Sequence, residues 1–227
     1  MWQNSAMGPL TREQVLKFRE SQNREQSRFY SGPVHALTSF SIMLGVVFFS
    51  LFKIHEVKFS EALVFPIVFV SGNFFIYVFH RWVLHVPRKG LLGQGYRTHT
   101  LQHHVYYTYD MIEFEKASEI MYVLFPISVV IGILGAVGLP LSLFLGWIWS
   151  ANAGWMAMAG AAFFFLSYEL IHGMCHLPQN HFILKMRIPG WIAKHHRIHH
   201  RPEICGEVNF DIVVPGFDYL FGTAKSE

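Results

Sequence analysis

Four histidines lie within six consecutive residues of the segment Lys194-His195-His196-Arg197-Ile198-His199-His200-Arg201. On a helix, His196 lies about one turn before both His199 and His200, so these three side chains share a face. Neutral imidazole is the commonest metal ligand in proteins, and several on one face form half of a metal pocket. Taken alone, the segment is also compatible with a basic, solvated surface run.

Three further histidine motifs occur earlier in the chain, which favours the metal site. They are His80-Arg81-Trp82-Val83-Leu84-His85, His99-Thr100-Leu101-Gln102-His103-His104 and His172-Gly173-Met174-Cys175-His176. Zinc sites use three or four protein ligands, so ten histidines suit two metal ions with about five ligands each. The predicted ligands are His80, His85, His99, His103, His104, His172, His176, His196, His199 and His200. Because all-nitrogen sites suit iron, zinc, copper or nickel, the residues alone do not choose the metal.

The composition indicates a membrane protein. Of 227 residues, 52% are hydrophobic and 15% are charged, against about 25% charged in an average soluble domain. The mean hydropathy is +0.30. The net charge of +3 is too small to suggest a nucleic-acid partner, and two cysteines do not make a disulfide framework.

Long uncharged runs predict an all-α fold with four transmembrane helices in two hairpins. The last run, residues 120–168, would be about 73 Å long as one helix, so it must fold back. The best breaking point is Gly138-Leu139-Pro140, with residues 150–154 as the alternative. The expected spans are residues 33–52, 62–79, 120–138 and 141–168.

The remaining segments complete the predicted organisation. Residues 1–31 form a polar tail or a surface helix, for which Thr11-Arg12-Glu13-Gln14 is a capping-box pattern and Val15, Leu16 and Phe18 an apolar stripe. Residues 32–223 form the membrane domain, with residues 80–119 and 169–223 as a cytosolic helical cap. With the N-terminus inside, 16 of the 18 Lys and Arg residues are cytoplasmic, which also places every histidine motif on that side.

The four motifs, in this order and membrane context, resemble those of the fatty acid hydroxylase/sterol desaturase superfamily. The closing segment Asp218-Tyr219-Leu220-Phe221-Gly222-Thr223 is similar to the terminal signature of that family. The resemblance covers residues 79–223 by motif and the whole chain by the order of its spans. In the second motif three residues separate His99 from His103, where many members of this branch have two.

The resemblance implies an integral membrane di-metal oxygenase. It implies two iron ions, sometimes replaced by zinc in purified protein, O2 as co-substrate, and electrons from a separate donor protein. The expected activity is hydroxylation or desaturation of a fatty acid, sterol, sphingoid base or related lipid. The compact chain favours a bacterial inner membrane over the endoplasmic reticulum, with both termini and the active site cytoplasmic.

Three other residues are candidates for supporting the ligands. His195 is either a residue that hydrogen-bonds a ligand or a substitute ligand, and we favour the first. Metal-bound histidines usually donate their second N–H to a carboxylate or a carbonyl, which makes Glu169 and Asp211 candidates. Other function classes stay open, namely a metal-dependent membrane hydrolase, for which no HExxH pattern exists, and a non-catalytic metal or haem electron-transfer protein.

Overall fold

The computed structural model describes residues 10–226, and within this range the chain is all-α, as predicted. Among these residues β-pairing is limited to one isolated bridge between Thr108 and Met111. The described chain also contains four helical stretches that are long and apolar enough to cross a membrane. They are Gly32–Phe52, Phe59–Leu84, Ala117–Ile148 and Ala151–Cys175. Their outer faces carry large exposed apolar side chains such as Phe48, Leu143 and Trp147, which suits contact with lipid.

Several of these stretches combine more than one helix type. The first two comprise α2 (Gly32–Phe52), α3 (Phe59–Ala62), α4 (Val64–Phe79) and a π-helical turn at His80–Leu84. The last two comprise a 3₁₀ turn at Ala117–Tyr122, α7 (Ile127–Ile133), a π-helical turn at Leu134–Gly138, α8 (Leu139–Ile148) and α9 (Ala151–Cys175). The other helical segments are α1 (Arg12–Glu25), α5 (Gly90–Thr98), a π-helical turn at His99–His103, α6 (His104–Tyr106), a 3₁₀ turn at Phe182–Lys185, α10 (Arg187–His199) and α11 (Gly216–Leu220).

The long apolar run does not fold back at Gly138-Leu139-Pro140, where we expected the break. Pro140 lies in the first turn of α8, where its missing N–H and its fixed φ are tolerated. The chain breaks instead at residues 149–150, which overlaps the start of the predicted alternative at residues 150–154. There α8 and α9 form a tight hairpin, in which the hydroxyl of Ser142 donates to the carbonyl of Gly154 at 2.8 Å.

The described chain forms two compact units. One comprises the segment up to Gly32, Phe75–Val123 and the segment from Ile171 onward, and it carries all four histidine motifs. The other comprises Pro33–Phe74 and Leu124–Leu170. Its core includes Val64, Val68, Ala153 and Ala157.

Within the predicted N-terminal segment, Arg12–Glu25 form helix α1, and residues 1–9 lie outside the described range. The capping box at the start of α1 is present, because Gln14 N–H donates to Thr11 Oγ1 at 3.3 Å and Thr11 N–H donates to Gln14 Oε1 at 2.8 Å. The expected apolar stripe is only partly buried. Val15 is 1% exposed and Leu16 is 44% exposed, while Arg19 is 5% exposed. The buried face of α1 is therefore centred on Val15, which belongs to the predicted stripe, and on Arg19, which does not.

Candidate metal centre

Two of the histidine motifs lie on π-helical turns, in which backbone hydrogen bonds connect residues five apart. His80 begins one such turn and His99 begins the other. On an α-helix, residues five apart point about 140° away from each other, so His80 and His85 could not face the same ion. The π turn brings the two rings to 5.0 Å between centroids. The spacing of five therefore becomes compatible with a shared site.

The other two motifs lie at the C-terminal ends of long helices. His172 and His176 are one turn apart at the end of α9, with ring centroids 5.1 Å apart. His196 and His199 lie in the last turn of α10, and His200 is its C-terminal capping residue.

The histidines assemble into two groups, in each of which the candidate ligand atoms lie within 4.8 Å of one another. The five-histidine group consists of His80, His85, His99, His104 and His199. The four-histidine group consists of His103, His172, His176 and His196. The tenth predicted ligand, His200, is in neither group, but its Nε2 lies 3.0 Å from that of His196. All ten rings are buried.

Backbone carbonyls orient at least half of these rings. In each of five histidines Nδ1 lies within hydrogen-bond distance of a carbonyl oxygen, at 2.5–2.8 Å. The pairs are His80 with Phe210, His103 with Tyr122, His176 with Ile112, His199 with Val208 and His200 with Tyr107. Because a carbonyl only accepts, Nδ1 carries the proton and donates it. Nε2 is then left with its lone pair, which is the form that binds a metal.

The spacing of the Nε2 atoms fits a coordination shell. Nε2 of His85 lies 3.2 Å from that of His80 and 3.1 Å from that of His199. With metal–nitrogen bonds of about 2.1 Å, neighbouring ligand atoms are separated by about 3.0–3.4 Å. The Nδ1 of His85 lies 3.4 Å from the hydroxyl of Thr100, which itself donates to the carbonyl of Leu84. The hydroxyl therefore accepts from His85, and the Nε2 lone pairs face one another and require a cation between them.

Several ring nitrogens have no hydrogen-bond partner within the described chain. They are Nε2 of His103, Nδ1 of His104 and Nδ1 of His196, all of them buried. A buried polar atom without a partner is costly. In His103, Nδ1 donates to the carbonyl of Tyr122. The nitrogen without a partner is therefore Nε2, which carries the lone pair and belongs to the four-histidine group. The residues present therefore fit a bound metal.

Burial keeps these imidazoles neutral. It lowers the pKa of His103 from 6.5 to about 4, with the carbonyl of Tyr122 acting in the opposite direction. The pKa values of seven other histidines fall well below 6.5, first through burial and in most of them also through repulsion by neighbouring histidines. These are His85, His99, His104, His176, His196, His199 and His200. Neutral imidazole is the form that metal binding requires.

The three predicted supporting residues have different surroundings. His195 is buried, and its Nε2 lies 2.9 Å from Asp218 Oδ2. Glu169 accepts hydrogen bonds from the backbone N–H of Phe125 at 3.1 and 3.3 Å. Asp211 accepts from the backbone N–H of Phe217 at 2.7 Å.

Asp218, which we did not predict as a supporting residue, accepts several hydrogen bonds in the structure. Its carboxylate accepts hydrogen bonds from the backbone N–H groups of Phe210 and Asp211 at 2.9 and 2.7 Å, and from the hydroxyl of Thr223 at 2.7 Å. The carbonyl of Phe210 in turn orients His80. The only signal for this role in the sequence was the place of Asp218 at the start of the closing signature.

A family model described as fatty acid hydroxylase matches residues 65–223, a range that includes all ten predicted metal ligands. The chain belongs to the fatty acid hydroxylase family. The predicted resemblance is therefore confirmed. Membership of this family, together with the four apolar helices, makes the chain an integral membrane hydroxylase that acts on lipids.

A similar fold is found in a solved structure titled as full-length Scs7p with only the hydroxylase domain visible. The TM-score is 0.58 at 16% sequence identity, and the match covers 86% of this chain and 67% of that chain. At this identity the likeness concerns the fold. A comparison with individually curated proteins gives no match.

Proposed function

We propose that this hydroxylase uses O2 and two iron ions to oxidise a C–H bond of a membrane lipid, by hydroxylation or desaturation. The observation that carries the proposal is the pair of buried, all-histidine groups with converging nitrogen atoms. The five-histidine group would hold one ion. The four-histidine group, with His200 as its fifth ligand, would hold the other.

The metal ions would supply reductive O2 activation, which is the chemistry needed to attack an unactivated C–H bond. All-nitrogen sites of neutral imidazoles suit iron and also zinc, so purified protein can carry either. No carboxylate belongs to either group within the described residues. The set of donor atoms therefore favours iron or zinc over magnesium or calcium, which prefer oxygen ligands.

The surrounding residues hold the ligands in place and keep water away. The carbonyls that accept from Nδ1 fix the rings of five histidines, as described above. Because all ten rings are buried, they stay neutral near pH 7 and make the cluster a dry environment. A dry site protects reactive oxygen chemistry from side reactions with water.

The membrane placement and the redox partner follow from the same proposal. The excess of basic residues supports a cytoplasmic location for both termini and the histidines, where a separate electron-donor protein would reach them. Residues 32–223 would form the catalytic domain. A bacterial inner membrane is our preferred location.

The test combines elemental analysis with product analysis. Detergent-purified protein expressed with added iron should contain about two metal ions per chain, and an iron-loaded sample with a chemical reductant and mixed lipids should consume O2 and release an oxidised lipid. His172→Ala and His196→Ala should abolish the product. A folded preparation with one metal or none, or an active His172→Ala variant, would refute the proposal. Lipid turnover without O2 would support a metal-dependent hydrolase instead.

A further inference from the structure

Arg19 is a buried cation on an otherwise mostly exposed helix. Its guanidinium donates to three backbone carbonyls, from Nε to Tyr106 at 2.8 Å and from Nη2 to Met111 at 2.5 Å and to Glu113 at 3.4 Å. It also lies over the rings of Tyr106 and Tyr107, at 4.9 and 5.3 Å from the ring centroids. Because a planar guanidinium presents several fixed donors, it can hold separate points of one loop at a set distance. Arg19 therefore ties together both ends of the loop of residues 106–114.

The neighbouring carbonyls of the same loop orient two of the candidate ligands. The carbonyl of Tyr107 accepts from His200 Nδ1 at 2.5 Å, and that of Ile112 accepts from His176 Nδ1 at 2.7 Å. In each case the acceptor directly follows a residue whose carbonyl is held by Arg19. The 106–114 loop thus accepts hydrogen bonds from Arg19 at Tyr106 and Met111. It accepts hydrogen bonds from the ligand histidines at the following residues, Tyr107 and Ile112.

The main chain of the loop also bonds to the backbone of the same two histidines. Tyr109 N–H donates to the carbonyl of His200, and Phe114 N–H donates to the carbonyl of His176, both at 3.1 Å. Each histidine is therefore bonded to the loop at its ring and at its backbone. A shift of the loop would move both rings.

Three of the five rings in the five-histidine group take their orientation from acceptors outside this loop. His80 and His199 donate to the carbonyls of Phe210 and Val208, and His85 donates to Thr100. None of these acceptors lies in residues 106–114. A disturbance of the loop therefore acts on His176 and His200 and leaves these three rings oriented.

We propose that Arg19 is a positioning residue for one of the two metals, the one held by the four-histidine group and His200. It acts through the 106–114 loop and does not touch a ligand. Arg19 lies outside residues 65–223, which the family model matches, so α1 adds a support of its own to the shared domain. This inference rests on the proposed two-metal function.

The test compares metal retention between variants with matched surroundings. Full-length protein would be loaded with iron, dialysed against a chelator, and assayed for metal per chain over time. Wild type should keep about two ions. Arg19→Met should keep one and release the other at least about tenfold faster, the loss typical of removing a support outside the ligand set. Arg24→Met should behave like wild type, because Arg24 lies on the same helix but is exposed and pairs with Glu20.

Double variants identify which of the two metal sites releases its ion when Arg19 is replaced. Combining Arg19→Met with His176→Ala should leave one tightly held ion, whereas combining it with His85→Ala should leave none. Arg19→Lys keeps the charge but can donate to fewer carbonyls at once, so it should show a partial loss of the same ion. It replaces Arg19→Met in the test if that variant does not fold.

The outcomes separate the two proposals. Folded wild-type protein without two ions would refute the two-metal function itself. If wild type holds two ions and both Arg19 variants retain them equally well, the role of Arg19 is refuted. Equal loss of both ions, or failure of both Arg19 variants to fold while Arg24→Met folds, would show general structural support and would also overturn the inference.

Discussion

His195 and Asp218 form a buried pair, with His195 Nε2 2.9 Å from Asp218 Oδ2 and side chains 3% and 0% exposed. Burial alone would raise the pKa of Asp218, but hydrogen bonds from His195, Thr223 and two backbone amides hold that pKa below its ordinary value. Asp218 is thus an ionised acceptor at the centre of the C-terminal segment.

We expect Asp218→Asn to destabilise the fold by about 1–3 kcal/mol, the cost of leaving a buried hydrogen-bond donor without its acceptor. The amide would also turn a donor toward groups that already donate. A fall in the midpoint of thermal unfolding measures this effect. Glu207→Gln, which changes an exposed acid nearby in sequence, should leave the midpoint unchanged, and an equal shift in both variants would contradict the assigned role.

Single ligand substitutions should remove one metal at a time. His85→Ala alters only the five-histidine group and His103→Ala only the four-histidine group, so each should reduce the content from about two ions to about one and abolish lipid oxidation. His55→Ala is the control, because His55 is exposed and outside both groups. Retention of two ions in either ligand variant would argue against two separate sites.

Metal-free protein should lose stability as the pH falls below about 6.5. Eight histidines outside the apolar stretches have folded-state pKa values below 6.5, that of His103 being about 4. The unfolded chain therefore binds more protons in this range, and stability decreases as pH decreases.

One acidic group outside the apolar stretches opposes this trend. Burial, followed by repulsion from Asp218, raises the pKa of Asp211 from 3.8 to about 8, so this carboxyl makes the folded state more stable as pH falls from about 8 to 4. A single carboxyl is outweighed by eight imidazoles. Unfolding midpoints measured between about pH 7.5 and pH 4.5 should show a net decrease, and a flat profile would mean that the histidines are not buried and neutral.

The α8–α9 hairpin depends on the absence of a side chain at Gly154. A Cβ there would lie 2.6 Å from the carbonyl oxygen of Ser142 and 3.1 Å from the Cα of Gly146. We expect Gly154→Ala to destabilise the protein by about 1–3 kcal/mol through overpacking.

Gly132→Ala is the matched change, since no atom lies within 4 Å of a Cβ at that position. It should be neutral or stabilising by about 0.5–1 kcal/mol, because alanine favours a helix more than glycine does. The midpoints of thermal unfolding of the two variants test this expectation. Similar midpoints would show that the hairpin is not closely packed.

The sequence was sufficient to predict the fold class, because uncharged runs and histidine spacing are local patterns. It could not predict that His80 and His85 share a group through a π turn, since five-residue spacing does not suit an α-helix. It also misplaced the fold-back, because Pro140 is harmless where it lies in the first turn of a helix. The assignment of histidines to two groups, with His103 separated from its neighbours His99 and His104, depends on tertiary packing that no spacing rule contains.

The role of Arg19 was equally hidden. Its partners are backbone carbonyls about ninety residues away in the chain. Because every residue has a backbone carbonyl, the sequence does not indicate which of them accept hydrogen bonds. The supporting acceptors that we predicted by residue number were carboxylates, whereas the main chain orients at least five of the ten rings.

That use of the main chain has an evolutionary consequence. Every residue has a carbonyl oxygen, so a substitution at Tyr107, Ile112, Tyr122, Val208 or Phe210 changes local packing without deleting the acceptor. Selection can therefore preserve the histidines while the residues whose carbonyls orient them are substituted.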